Sequence, residues 1–218
     1  MTLSSRTVSV LARAAGVSTA LAVAGALAGC VSLFPKAPPA QLYRFEPEIT
    51  ESSAPPSENR IPVSLSAVAF TQAGSGDRIL TMTGDEAAYI EGARWVAPAE
   101  SLFEEAMTRA FAGSAVATRL VERRQSASAK MVLNVTVERF EARYEAGPKA
   151  APTVVVALRA QLIRFPDRAV VGAKSFRAEQ SAADNRVSAI VAAYDQDVTS
   201  VLKDLTAWTD QTATQGQS

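Results

Sequence analysis

An uncharged run of fifteen residues, Ala14 to Ala28, sets the first limit on what this chain can build. As a helix it would reach roughly 22 Å, short of the ~30 Å hydrocarbon core that a spanning helix must cross. Arg6 and Arg13 precede it, and the first acidic residue is Glu46. A basic flank followed by a short apolar run of small residues is the pattern of a secretory signal, not of a membrane helix. Residues 1–29 are therefore read as a segment removed from the mature chain.

The run ends in Leu27-Ala28-Gly29-Cys30. This resembles the lipobox of bacterial lipoproteins, in which a Leu, two small residues and Cys are read together. The resemblance implies a thioether to diacylglycerol on Cys30, cleavage after Gly29 and acylation of the new amino terminus. The competing reading is an incidental free Cys after a short helix. Two or three acyl chains hold a protein on a membrane at ~0.8 kcal/mol per buried CH₂. The next residue is Val31, not Asp, a pattern that in enterobacterial sorting resembles outer-membrane lipoproteins facing the periplasm. Loss of Arg6 and Arg13 leaves 20 basic residues against 22 acidic, a net charge of −2. The anchor, not a polybasic attraction, has to supply the membrane binding.

Composition excludes much chemistry. There is no histidine and only one cysteine, so His-based triads, Cys-cluster zinc sites and internal disulfides are out. Neither a phosphate-binding G-x-x-x-x-G-K-[ST] loop nor a G-x-S-x-G elbow occurs. The balanced charge offers no footprint for nucleic acid. No catalytic residue, cofactor or metal ligand can be named, and the chain is read as non-enzymatic.

Seven of the eleven prolines lie between Pro35 and Pro62. Residues 30–60 are read as lipidated terminus and Pro-rich tether, except that the alternation of Gln41 to Glu46 makes those residues the first strand of the domain. The domain is placed at 41–208. Thr209 to Ser218, which has no apolar side chain larger than Ala, is read as a frayed tail.

Within the domain, Pro62–Phe70 alternates with Val63, Leu65, Ala67 and Ala69 on one side. Ile79–Thr83 and Ala87–Ile90 flank Gly84-Asp85-Glu86 as a hairpin. Pro98-Ala99-Glu100 opens a helix whose Leu102, Phe103, Ala106, Ala110 and Phe111 share a face, with Gly113 closing it. Val116–Val121 is a short strand. Lys130–Val137 is a clear one, and its phase changes before Phe140, which predicts a bulge or an edge bend there. Gly147-Pro148 marks a turn. Thr153–Arg164 and Ala169–Ala178 are strands joined through Pro166-Asp167-Arg168. Val187, Ile190, Tyr194, Val198, Val201, Leu205 and Trp208 mark a final helix from about Asp184, its cap, to Trp208. The fold predicted is α+β: a single antiparallel-rich sheet of about six or seven strands with two helices packed on one face.

Gln41-Leu42-Tyr43, the pairs Ile79-Leu80 and Tyr89-Ile90, Arg94-Trp95 before Pro98 and Leu102, Leu133-Asn134-Val135, Phe140-Glu141-Ala142 and Trp208 together resemble the ABC-type transport auxiliary lipoprotein component family, the group that includes paraquat-inducible protein C. The resemblance runs in order through nearly the whole mature chain. It implies a lipoprotein that docks an inner-membrane ABC permease and ATPase, with a mammalian-cell-entry-type substrate-binding protein, at the outer membrane for lipid transport. A homo-oligomer is compatible with it. A second layout, an outer-membrane assembly lipoprotein partnering a β-barrel like the lipopolysaccharide-export plug, fits the same elements.

Arg94 and Trp95 have two readings. They form a partner-docking pair, or Trp95 packs over the sheet while Arg94 snorkels, the commoner arrangement. Trp208 either rims an interface or packs in the core, the latter favoured by its phase. Glu104 and Glu105 read as a solvated helix face. Arg119, Arg123 and Arg124 form a small basic cluster that either is solvated or meets phospholipid headgroups or an acidic partner.

Overall fold

Strand alternation dictates that Met131, Leu133, Val135 and Val137 enter the core together, and the fold is assembled along the strand that carries them. The computed structural model describes residues 39–49, 51–121 and 127–217. The segment 1–29, Cys30, the tether as far as Pro38, Thr50, Arg123, Arg124 and Ser218 lie outside the described residues. The chain runs β1 Gln41–Tyr43, β2 Ile61–Leu65, β3 Ala69–Phe70, β4 Arg78–Thr83, β5 Glu86–Trp95, α1 Ala99–Ser114, β6 Thr118–Val121, β7 Met131–Arg143, β8 Thr153–Arg164, β9 Val170–Ser181 and α2 Val187–Gln215.

β7 is the spine. Its register slips between Val137 and Arg139, so Phe140 and Ala142 continue the buried row while Arg139 turns out. Of the bulge or edge bend predicted before Phe140, the bulge is what forms. One edge of β7 pairs with antiparallel β8 along its length. The other edge takes three short parallel strands in succession: β2 beside Met131–Leu133, β3 beside Thr136–Val137 and β4 beside Ala142–Arg143. β6 adds to β2, β5 to β4, β1 to β5 and β9 to β8.

The α+β class holds, but the sheet is mixed and has nine strands, not an antiparallel-rich six or seven. Two physical reasons account for the difference. Alternation carries no sign for strand direction, so the parallel pairings of β1, β2, β3, β4 and β6 leave no trace in it. The run Pro62–Phe70 also breaks at residues 66–68 into two strands. The break reverses the phase, so Val68 is buried while Ala67 and Ala69 face solvent. The first strand likewise stops at Tyr43, although Phe45 beyond it is fully buried.

Both helices cover the Phe140 face. α1 buries the predicted stripe and Met107. It runs through Gly113 to Ser114, because Gly113 serves a close crossing instead: a Cβ there would stand 2.9 Å from Ile49 Cγ2. α2 starts at Val187, and its cap position is Arg186. Asp184 accepts from the Arg186 N–H at 2.9 Å outside the helix.

The reading of 209–218 as a frayed tail is corrected. α2 continues to Gln215 and buries Thr209, Thr212 and Ala213. Asp210 accepts from the Val116 N–H at 2.7 Å, the Thr118 N–H at 2.8 Å and the Thr118 hydroxyl at 2.6 Å. It thereby fastens the helix end to the start of β6. The packing is close because β9 offers Gly172, where a Cβ would meet Thr212 Cγ2 at 2.6 Å. Small Thr and Ala side chains are what such a close approach requires, and they are why the stripe was invisible to an apolar count.

Hydrogen bonds to a charged acceptor contribute about 1.5–3 kcal/mol each and are not additive. Asp210→Ala is therefore expected to lower unfolding stability by about 2–4 kcal/mol in urea titration, with unchanged slope. Stability equal to the parent's would show that the helix end is not fastened in this way.

Candidate docking surface

Alternation along β5 decides what Arg94 and Trp95 can do. Parallel pairing sets Leu42 beside Arg94 and Tyr43 beside Trp95. Trp95 points inward, 2% exposed. It packs edge-on against Phe45 at 5.3 Å and Tyr194 at 5.2 Å. A partner cannot reach this indole in the folded domain, so the docking pair is reduced to Arg94. That side chain points out, its Nη1 donating to both Asp77 carboxylate oxygens at 3.0 and 2.9 Å. Exposed Leu42 and Val96 stand beside it, Val96 tied by its N–H to the Tyr43 carbonyl at 2.8 Å. β1 ends the strand order on this side. Its outer backbone edge is a template for an added strand, with Arg94, Leu42 and Val96 as the side chains such a strand would meet.

The remaining singled-out residues scatter. Arg119 is exposed on β6, and its sequence neighbours Arg123 and Arg124 are outside the described residues. Trp208 is half-buried, 5.8 Å from the Phe176 ring. Glu105 ion-pairs with Arg44 at 2.6 Å. A hollow of about 740 Å³ lies between residues 51–53, residues 114–117 ahead of β6 and the outer face of α2, and none of the singled-out residues lines it. Among the described residues no group of three His, Cys, Asp or Glu side chains could hold a metal ion, and no helix is long and apolar enough to cross a membrane.

One buried group escaped the sequence reading. Asp197 on α2 is 2% exposed, and its Oδ2 has no hydrogen-bond partner. Burial, helped by the charge of Glu179 and opposed by a hydrogen bond from the Gln180 N–H, pushes its carboxyl up to about 7. The Tyr194 hydroxyl one turn away is also unpartnered. Burial foremost, then the charges of Glu141 and Asp197, pushes that phenol well up. Glu141, itself buried, ion-pairs with Arg143 at 2.9 Å and Arg139 at 3.6 Å. The signal for Asp197 was its spacing: three after Tyr194 and four before Val201, it falls on the apolar stripe.

The family model described as the ABC-type transport auxiliary lipoprotein component matches residues 43–206. Protein XCC0632 from Xanthomonas campestris shares the fold at 24% identity and a TM-score of 0.72, over 81% of this chain and 99% of its own. An uncharacterized protein shares it at 16% identity and a TM-score of 0.53, over 80% and 98%. No curated protein matches the chain.

The Asp197 carboxyl titrates near 7 in the fold and near ~3.9 when free. Between those values the folded state holds the extra proton. This contribution to stability is full below about pH 4 and is lost as pH rises through about 7. Wild type is expected to lose about 2–3 kcal/mol from this group between about pH 5 and pH 8, and Asp197→Asn to remove that loss. An unchanged pH dependence of unfolding in the variant would contradict the assignment.

Proposed function

The chain belongs to the ABC-type transport auxiliary lipoprotein component family, and on that premise we propose that it serves a mammalian-cell-entry-type phospholipid transport system of the bacterial envelope. In this reading Cys30 carries the lipid anchor at the outer membrane. The domain faces the periplasm and acts as a non-enzymatic docking subunit for the substrate-binding protein, permease and ATPase.

The match over most of the domain carries the transport role. The motif ending in Cys30, the short apolar run before it and the net charge of −2 after cleavage support the anchor. The β1 edge supports docking as the mode of action. The inner side of β1 pairs with β5 and its outer side is unpaired among the described residues, with Arg94, Leu42 and Val96 beside it, and strand addition draws affinity from backbone hydrogen bonds and specificity from the flanking side chains. The absence of histidine removes the commonest general base, which supports a role through contact.

The full lipidated chain, extracted in detergent and captured, is expected to bring down a mammalian-cell-entry-type protein with an ABC permease and ATPase. Leu42→Asp with Arg94→Glu is expected to lower that recovery about tenfold or more while the melting temperature stays near that of wild type. Clean captures that contain a β-barrel protein and no transporter component would overturn the proposal in favour of the assembly-lipoprotein layout.

A further inference from the structure

The end of the sheet where β2, β6 and β7 begin has a chemistry of its own. Backbone contacts lay four residues in a row there. Arg119 pairs with Pro62, the Lys130 N–H donates to the Pro62 carbonyl at 2.9 Å, and the Phe165 N–H donates to the Lys130 carbonyl at 2.9 Å. Arg60 precedes β2 at the same end, and Arg168 sits in the turn between β8 and β9. Phe165 and Val170, 55% and 58% exposed, flank that turn. They are two of the four large apolar side chains that the described residues expose, and Leu42 and Val96, the other two, belong to the β1 edge.

The charge at this end is unbalanced. Arg164 is neutralised by Asp167 at 2.8 Å and donates to the Gly216 carbonyl at 3.0 Å. Arg60, Arg119, Lys130 and Arg168 take part in no ion pair among the described residues, whereas eight other arginines of the domain do. Of the nearby acids, Asp167 holds Arg164, Asp210 is taken up by three donors from residues 116 and 118, and exposed Glu58, two residues before Arg60, offsets one of the four cations and leaves the end basic. A hollow of about 380 Å³ lined by Lys130, Met131, Arg164, Phe165 and Gln217 opens beside the row.

We propose that this end of the sheet is a membrane contact, separate from the lipid anchor, that binds the surface of a bilayer containing anionic phospholipid. Charge selects the partner's sign, and the apolar side chains select a bilayer over an acidic protein surface. Cations near an anionic bilayer gain electrostatic attraction within a Debye length, and an aromatic ring and an aliphatic side chain standing among them can enter the headgroup boundary. The long Lys and Arg stems extend that apolar surface while their charges remain in the headgroup layer. The net charge of the mature chain is negative, so the attraction is local to this end and does not follow from overall composition. The contact would orient the domain on the membrane.

The test uses the full lipidated chain reconstituted into vesicles. Val170→Cys supplies a thiol for an environment-sensitive dye, and dye uptake by the unaltered chain reports separately on whether Cys30 is acylated. In vesicles of phosphatidylglycerol and phosphatidylcholine the dye is expected to shift to the blue and to be quenched by brominated lipid. In pure phosphatidylcholine it is expected to do neither. Arg119→Glu with Lys130→Glu should lower the membrane-contacting fraction by about fivefold or more for each cation removed, with unchanged circular dichroism. Phe165→Ser should weaken the contact at low and high salt alike. A dye that remains in water in anionic vesicles, an Arg119→Glu/Lys130→Glu variant that behaves as its parent, or capture of an acidic protein without any vesicle contact would each overturn the proposal. None of these outcomes depends on the transport partners named above.

Discussion

A one-residue slip in β7 governs the interior. Without it, Arg139 and Glu141 would continue the inward row of Met131, Leu133, Val135 and Val137, and two charges would enter the core. With it, Phe140 takes that position and meets five other rings: Phe45, Phe70, Trp95, Phe103 and Tyr194, at centroid distances from 4.7 to 6.4 Å. Those rings come from the segment after β1, from β3, β5, α1 and α2, so a single side chain ties elements far apart in sequence. Aromatic pairs of this kind add about 0.5–1.5 kcal/mol beyond their buried area. The displaced Arg139 joins Arg143 in covering Glu141 on the opposite face, so the slip decides both layers together.

The same arrangement makes α2 a helix of two characters. Its first half carries Tyr194 into the aromatic cluster and, in phase with it, buries an aspartate with one carboxylate oxygen left without a hydrogen-bond partner. An unpaired buried carboxyl is costly when ionised, and the fold answers by shifting its protonation. After Val201, Leu202 and Leu205, which are buried in the core, the last turns pack through Thr and Ala against Gly172 and are fixed by Asp210. The first half is held by large rings, the helix end by small groups at close range and charge-assisted hydrogen bonds.

Periodicity made visible much of what depends on which side of an element faces inward, but not the phase reversal at residues 66–68. The β4–β5 hairpin, the α1 stripe, β8 and the phase change in β7 were all legible on that ground. Strand direction was not, because parallel and antiparallel strands alternate alike, and so the mixed order of the sheet had to come from the structure. The end of α2 was hidden for a different reason: Thr209, Thr212 and Ala213 are buried by proximity to a glycine on another strand, a relation with no local signature. For the candidate site, the Arg94-Trp95 pair could be located in the chain but not apportioned. Only the pairing of β1 with β5 shows that Trp95 belongs to the core and that Leu42 and Val96, far apart in sequence, share the surface with Arg94. Phe165 and Arg119 gather at one sheet end for the same reason, through register and not through spacing.

Among the described residues the domain presents a strand edge unpaired on its outer side and a basic end with exposed apolar groups. The proposed function holds the chain at a membrane through its amino terminus. Mass spectrometry of the mature protein from envelope fractions tests that most directly. An amino-terminal peptide that begins at Cys30 and carries the mass of diacylglycerol and an acyl chain is the expected result. A mature chain that retains residues 1–29, or begins elsewhere with an unmodified Cys30, would contradict it.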